Sequence, residues 1–229
     1  MLRNIWKFLL LIWMGVVIWG AFIYTPTAKA LGETTRILYF HVPCSWVATL
    51  SFLIAAISGI LYLVKNDLKY DLWAENAAHL GLFFTVLATI TGSIWAKVIW
   101  HSFWNWDPRE TSIFILLLIY AAYFALRSAV EEDEQKARLS AVYVILAFIT
   151  VPFLVFIVPR IYDSLHPDPV INAQGKIKMN GKMLQVFFAS MAGFTVIFFW
   201  MLRLKVQTAL LERKLQMRKF KKLTENRDV

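Results

Sequence analysis

One cysteine, Cys44, is all the thiol this chain of 229 residues carries. That excludes an intrachain disulfide, a CxxC redox pair and the CxxCH attachment signature. No Walker A motif occurs, so the chain is not expected to hydrolyse ATP itself. Charge is scarce at 17% of residues, and the long stretches without it are apolar. There is no tract of low complexity, no repeat of fixed period and no room for a sizeable water-soluble domain between the apolar runs.

What is present is hydrophobic surface. Of all residues, 59% are hydrophobic, and the mean hydropathy is +0.58. Soluble domains carry roughly 45–50% apolar residues. The chain therefore reads as an all-α integral membrane protein. Its net charge of +9 is a report on topology rather than a nucleic-acid footprint, because basic residues collect on the inner side of a membrane. Arg3 and Lys7 precede the first apolar run, and Ala28-Lys29-Ala30 faintly resembles a cleavage site. That run exceeds the usual signal-peptide core, so it is read as a retained helix.

About 20 apolar residues cross a bilayer, and six runs qualify: Phe8–Tyr24, Val42–Val64, Ala77–Ile94, Ser112–Leu126, Leu139–Val158, with Pro152 expected to kink it, and Leu184–Leu204. Six spans put both termini on one side. That side holds sixteen Lys and Arg residues against eight on the other, so the termini are expected in the cytoplasm. Three outer loops follow: 25–40, 95–111 and 159–182. The whole chain, 1–229, is read as a single membrane domain with a basic tail from 205. That tail is either an amphipathic helix on anionic lipid or a solvated end.

The second outer loop holds the most information. In Trp95-Ala-Lys-Val-Ile-Trp100-His-Ser-Phe-Trp104-Asn-Trp106-Asp107-Pro-Arg109-Glu-Thr111, four of the ten tryptophans fall within seventeen residues. Interfacial belts favour Trp, so one reading is membrane anchoring. The other is an aromatic platform for a large planar ligand, with Asp107 and Arg109 steering its polar edge. Of the four histidines, His79 fits packing within a helix and His101 an exposed loop. His41 and His166 share the outer side with the Trp-rich loop, and two imidazoles could ligate a haem iron from opposite faces. Chance placement of two loop histidines is the competing reading. Cys44, one helical turn beyond His41, reads as a small packing residue.

Taken together, Tyr39-Phe-His41-Val-Pro43, Gly92-Ser-Ile-Trp95-Ala-Lys97, Trp104-Asn-Trp106-Asp107-Pro-Arg109-Glu-Thr111 and Ser164-Leu-His166 resemble the haem-handling family of cytochrome c maturation that carries the WWD motif. The resemblance spans roughly Arg36 to Leu204, and the six-span size is most similar to the CcmC branch. It implies haem b as the group handled, with His41 and His166 as external axial ligands. Trp95, Trp100, Trp104, Trp106, Asp107 and Arg109 would line the haem surface. Lys97, Arg109 or Arg160 would meet the propionates. Implied partners are a CcmE-like haem chaperone, CcmA- and CcmB-like ABC transporter subunits and a small CcmD-like membrane subunit, all at a bacterial inner membrane with haem on the periplasmic face. The implied role is presentation of haem rather than catalysis. Two alternatives stay open: a component of a CcsA-type cytochrome c haem lyase, and a carrier or scaffold that binds no haem. The near absence of charge within the spans disfavours an ion-coupled carrier.

Overall fold

A computed structural model describes residues 4–28, 31–166 and 179–225. Lys29, Lys176, Lys178 and half of the third outer loop, residues 167–178, lie outside the described residues. Among the described residues, six helices are long and apolar enough to cross a membrane, and no strand is formed.

Helix α1, Ile5–Trp19, ends in a π-helical turn over Gly20–Tyr24. A 3₁₀ turn, Glu33–Ile37, leads into α2, Leu38–Lys65. Asn66 then takes the left-handed conformation that ends α2, and the Asp67 side chain accepts the Lys69 N–H to start α3, Leu68–Trp100. This two-residue hinge satisfies both helix ends at once. Helix α4 spans Pro108–Ala129 and α5 spans Asp133–Pro152, the latter capped by the Glu132 side chain. A π-helical turn at Phe153–Ile157 follows Pro152, with a single helical turn, α6, at Val158–Ile161. The expected disturbance at Pro152 is therefore a change of helical winding. Helix α7, Gly181–Glu225, runs for 45 residues without a break, so the basic tail continues the last span as helix.

Helices α2 and α3 form the packed centre, with α5, α7 and α4 around them and α1 on the outside against α7. Small residues on α2 and α3, such as Ala48, Ala55, Ala77 and Ala88, are almost fully buried and let the backbones approach closely. The Phe52 ring stacks on Tyr120 at 3.5 Å. Cys44 is buried in this same core, as its packing reading required. Helix α1 is held by the Trp13 indole donating to the Ala189 carbonyl at 2.9 Å and by an edge contact between Trp6 and Trp200.

Pro43 lies inside α2. It has no N–H, so the carbonyl of Tyr39, four residues earlier, loses its helical partner. The Ser190 hydroxyl of α7 donates to that carbonyl instead. A sequence-level break in α2 thus becomes a cross-helix bond that fixes α7 against the turn carrying His41.

At one end of the bundle Asp71, on α3, receives both terminal nitrogens of Arg127, on α4, at 2.6 and 3.0 Å. Glu75 takes a second contact from the same guanidinium at 3.0 Å. Arg127 and Asp71 are both buried. Arg127 is therefore no solvated loop charge, as its neighbours in the Glu131–Arg138 run suggest, but a clamp between two helices. His79 stacks on Phe124 at 4.1 Å, in keeping with a packing histidine.

Candidate functional site

The opposite end of α3 carries the tryptophans. Trp95 and Trp100 belong to the helix, which extends to Trp100 before His101 turns left-handed at φ 61°. The sequence reading had placed both in a loop. The apolar pattern stops near Ile94, but the helix keeps its hydrogen bonding for two further turns because Trp95 and Ala96 are buried. The true connector is only residues 101–107. Trp100 and Trp104 consequently do not share a helix face.

The connector ends in a tight cap. Asp107 accepts the Arg109 N–H at 2.9 Å, and Glu110 reaches back to the backbone N–H groups of Asn105 at 2.6 Å and Asp107 at 3.3 Å. With Pro108 in the first turn, this is a capping box. Just before it, Trp106 adopts φ 56°, a strained conformation for a bulky residue, and its ring is 68% exposed. Trp104, Trp106 and Phe114 meet edge to face, with interplanar angles of 74–89°. The cluster is a faceted projection. The flat platform expected from sequence is not formed by these three rings.

His166 is drawn to the same cap. Its Nδ1 lies 3.0 Å from Asp107 Oδ1. The Leu165 N–H donates to Asp107 Oδ2 at 2.7 Å, and the Ser164 hydroxyl to the same carboxylate at 2.9 Å. One carboxylate therefore starts α4 and pins the segment 164–166 across 59 residues of sequence. Burial pushes the Asp107 carboxyl up, but the donors from Arg109, Leu165 and Ser164 overcome it and hold its pKa below the ordinary value. Burial holds the His166 pKa below its ordinary value despite the opposing pull of Asp107. Near neutral pH the pair is carboxylate and neutral imidazole. A carboxylate cannot donate, so His166 gives its Nδ1–H to Asp107 and leaves Nε2 with a free electron pair. The Trp100 ring lies against this imidazole at 4.9 Å.

His41, the fourth residue of α2, has a matching arrangement. Its Nδ1 lies 3.0 Å from the Thr91 hydroxyl. Thr91 spends its single proton on helix carbonyls, with Leu87 O at 2.8 Å and Ala88 O at 3.2 Å. The hydroxyl can only accept from His41, so here too Nδ1 is protonated and Nε2 is free. Trp95 borders the ring at 6.3 Å. Gly92 makes the approach possible, since a Cβ there would stand 3.0 Å from His41 Cε1. His166 and Arg109 are both near enough to act electrostatically on His41. Trp95 and Trp100, which border the two imidazoles, are separated by five residues, about 7.5 Å along the helix axis. Both histidines are half-buried rather than fully exposed.

Other candidates separate from the pair. Lys97 donates to the His101 carbonyl at 2.9 Å and sits over Phe103, and Arg160 donates to the Phe156 carbonyl at 2.5 Å. His101 is exposed. Arg109 is the one of the three cations whose charge reaches both His41 and His166. The buried Trp95 indole N–H and Asn105 side-chain amide nitrogen have no hydrogen-bond partner among the described residues. Behind Trp95 an apolar pocket of about 320 Å³ is lined by Phe22, Arg36, Phe40 and Val98, among others.

Two imidazoles, each bordered by an indole, thus lie toward one end of the bundle, and the chain that carries them has known relatives. The model of the family described as CcmC, heme exporter protein C, matches residues 1–221. The chain belongs to that family. It is 29% identical over 200 residues to heme exporter protein C of Rhodobacter capsulatus, covering 87% of this chain and 82% of that protein. It is 30% identical over 199 residues to heme exporter protein C of Paracoccus denitrificans, with the same coverage. A Marchantia polymorpha protein described as a putative cytochrome c biosynthesis ccmC-like mitochondrial protein is 32% identical over 176 residues, covering 76% of this chain and 74% of its own. Membership sets the role as haem handling for cytochrome c maturation, in a multi-pass membrane protein. Sequence reasoning found the motif residues but missed Thr91 and the pinning role of Asp107. Thr91 is an unremarkable helix threonine by pattern, and its only sequence signal is its place one residue before Gly92.

Proposed function

We propose that the chain binds haem b between the Nε2 atoms of His41 and His166 and presents it to a CcmE-like haem chaperone. The observation that carries this reading is the pairing: each imidazole gives its Nδ1–H to a fixed oxygen, which orients the ring and prepares Nε2 as an iron ligand. Haem is cargo here, and the chain's residues hold it, orient it and release it. Trp100, half-buried beside His166, covers part of the ring's apolar surface, where burial contributes about 25 cal/mol per Å², and the buried Trp95 backs His41. Arg109 is the cation suited to a propionate through charge-assisted hydrogen bonds. The exposed Trp104–Trp106–Phe114 projection is the surface the chaperone meets. The unpaired Trp95 N–H and the glycine cradle at Gly92 suit a site built to accept a further group.

The setting follows from charge and from family. The positive-inside count supports termini in the cytoplasm and the haem site on the outer face of a bacterial inner membrane. A single six-helix domain of this size acts with CcmA-, CcmB- and CcmD-like subunits rather than as a lyase on its own.

The test is spectroscopic. Protein purified in mild detergent from haem-replete cells carrying the partner proteins should show a low-spin Soret band and a b-type pyridine haemochrome. His41→Ala and His166→Ala should each lose most of that haem. Equal haem content and an unchanged Soret band in both variants would remove the axial assignment.

A further inference from the structure

The two imidazoles are oriented alike but held by different oxygens. His166 donates to an ionised carboxylate, Asp107, which also receives Arg109 N–H, Leu165 N–H and the Ser164 hydroxyl. His41 donates to a neutral hydroxyl, that of Thr91, whose own proton is committed to the α3 backbone. Hydrogen bonds to an ionised acceptor are roughly twice as strong as neutral ones. A stronger acceptor at Nδ1 moves more electron density to Nε2 and makes the imidazole a better donor to a metal.

We infer that the site is built with one strong and one weak iron ligand: Asp107 makes His166 the ligand that keeps haem, and Thr91 positions His41 as the ligand that lets go first. This rests on the axial reading above and adds an order to it. The exchange is simple in its balance. The bond between iron and His41 Nε2 breaks, the electron pair stays on nitrogen, and no electron or proton leaves the site. Geometry supports the same order. His41 sits within a packed helix, wedged against Gly92, and cannot travel with the cargo. His166 lies on a connecting segment between α6 and α7, tied to the Trp106–Asp107 cap on which the exposed indole stands. Release from the bundle side first leaves haem attached to the element nearest the projecting surface. Thr91 is thus a positioning residue, acting through His41.

The experiment uses the full-length, haem-loaded protein in detergent and the same protein without haem, in wild-type form and as Thr91→Val, Thr91→Ser and Asp107→Asn. The first readout is carbon monoxide binding to the ferrous protein, which is limited by departure of the weaker imidazole. Thr91→Val should speed binding about fivefold, the effect of losing one hydrogen bond, and more than Asp107→Asn does. Thr91→Ser should restore the wild-type rate. The second readout is ¹⁵N NMR of histidine-labelled protein without haem, where Thr91→Val should disturb the Nδ1–H form of His41 and spare that of His166. A Thr91→Val protein with wild-type kinetics and an unchanged His41 tautomer overturns the inference, as does faster carbon monoxide binding in Asp107→Asn than in Thr91→Val. Failure of the axial reading is distinct: haem would then persist in His41→Ala and His166→Ala, whatever Thr91 does.

Discussion

Two aspartates define the two ends of this bundle. Asp71 and Asp107 are both nearly buried, and both join segments far apart in sequence. Asp71 meets the fork of Arg127 with both oxygens, and Glu75 takes what remains of that fork's charge. These contacts run between side chains of two packed helices and lock α3 to α4. Asp107 meets backbone N–H groups, a hydroxyl and an imidazole. The imidazole has a second nitrogen, so the fixation achieved by the carboxylate is passed on to an atom that is still free. The same side chain serves as a lock where its partner is a guanidinium gripped by two acids of one helix and as a mount where its partner has a second nitrogen.

Breaking the lock should cost the most. Arg127→Ala leaves Asp71 as an uncompensated buried charge, an effect of about 3–5 kcal/mol. Thermal unfolding in detergent should show a large drop, with haem lost only as the protein unfolds. If Arg127→Ala unfolds as the wild type does, the two ends are not the different devices described. Breaking the mount should cost less in stability and more in function. Asp107→Ala removes a helix cap, an effect of about 1 kcal/mol, yet it also frees segment 164–166. Haem retention should fall at temperatures where the bundle is still folded, and coincident loss of both would contradict the separation. The smallest stability effect is expected at Trp106. Trp106→Gly relieves a left-handed backbone strain on the order of 1 kcal/mol, so stability should hold or rise slightly. Transfer of haem to the chaperone should nevertheless decline, and wild-type transfer would show that the projecting indole is not part of the delivery surface.

The spans were legible because a bilayer demands long apolar helices, and composition records that demand directly. Their ends were less so. Helix α3 gains about four turns over its apolar core, since Asp71 and Glu75 at one end and Trp95 and Trp100 at the other are helical for reasons of pairing and packing. Hydropathy does not encode those reasons. His41, His166 and the tryptophans stood out by type and by motif. Thr91 did not, because a threonine bonded to its own helix looks the same in sequence whether or not a histidine from another helix leans on it. The role of Asp107 was half visible. Asp-Pro with Glu three residues on is a helix-start signature, but the pairing with His166 spans 59 residues and needs the fold to bring it about. The role of Arg127 was hidden for the opposite reason: its sequence neighbours are charged and exposed, whereas its spatial neighbours are acids on α3.

Pro43 gives α2 and α7 a shared coordinate. The carbonyl it strands is held by Ser190, two residues before His41, and Ser190 rides on a rod that continues unbroken to Glu225. From Ser190 to that far end is roughly 50 Å of helix, about 30 Å of it past Leu204, where the apolar run ends. The rod is a tiller. A turn of its distal end would be felt at the Ser190 hydroxyl, which steadies the turn carrying His41.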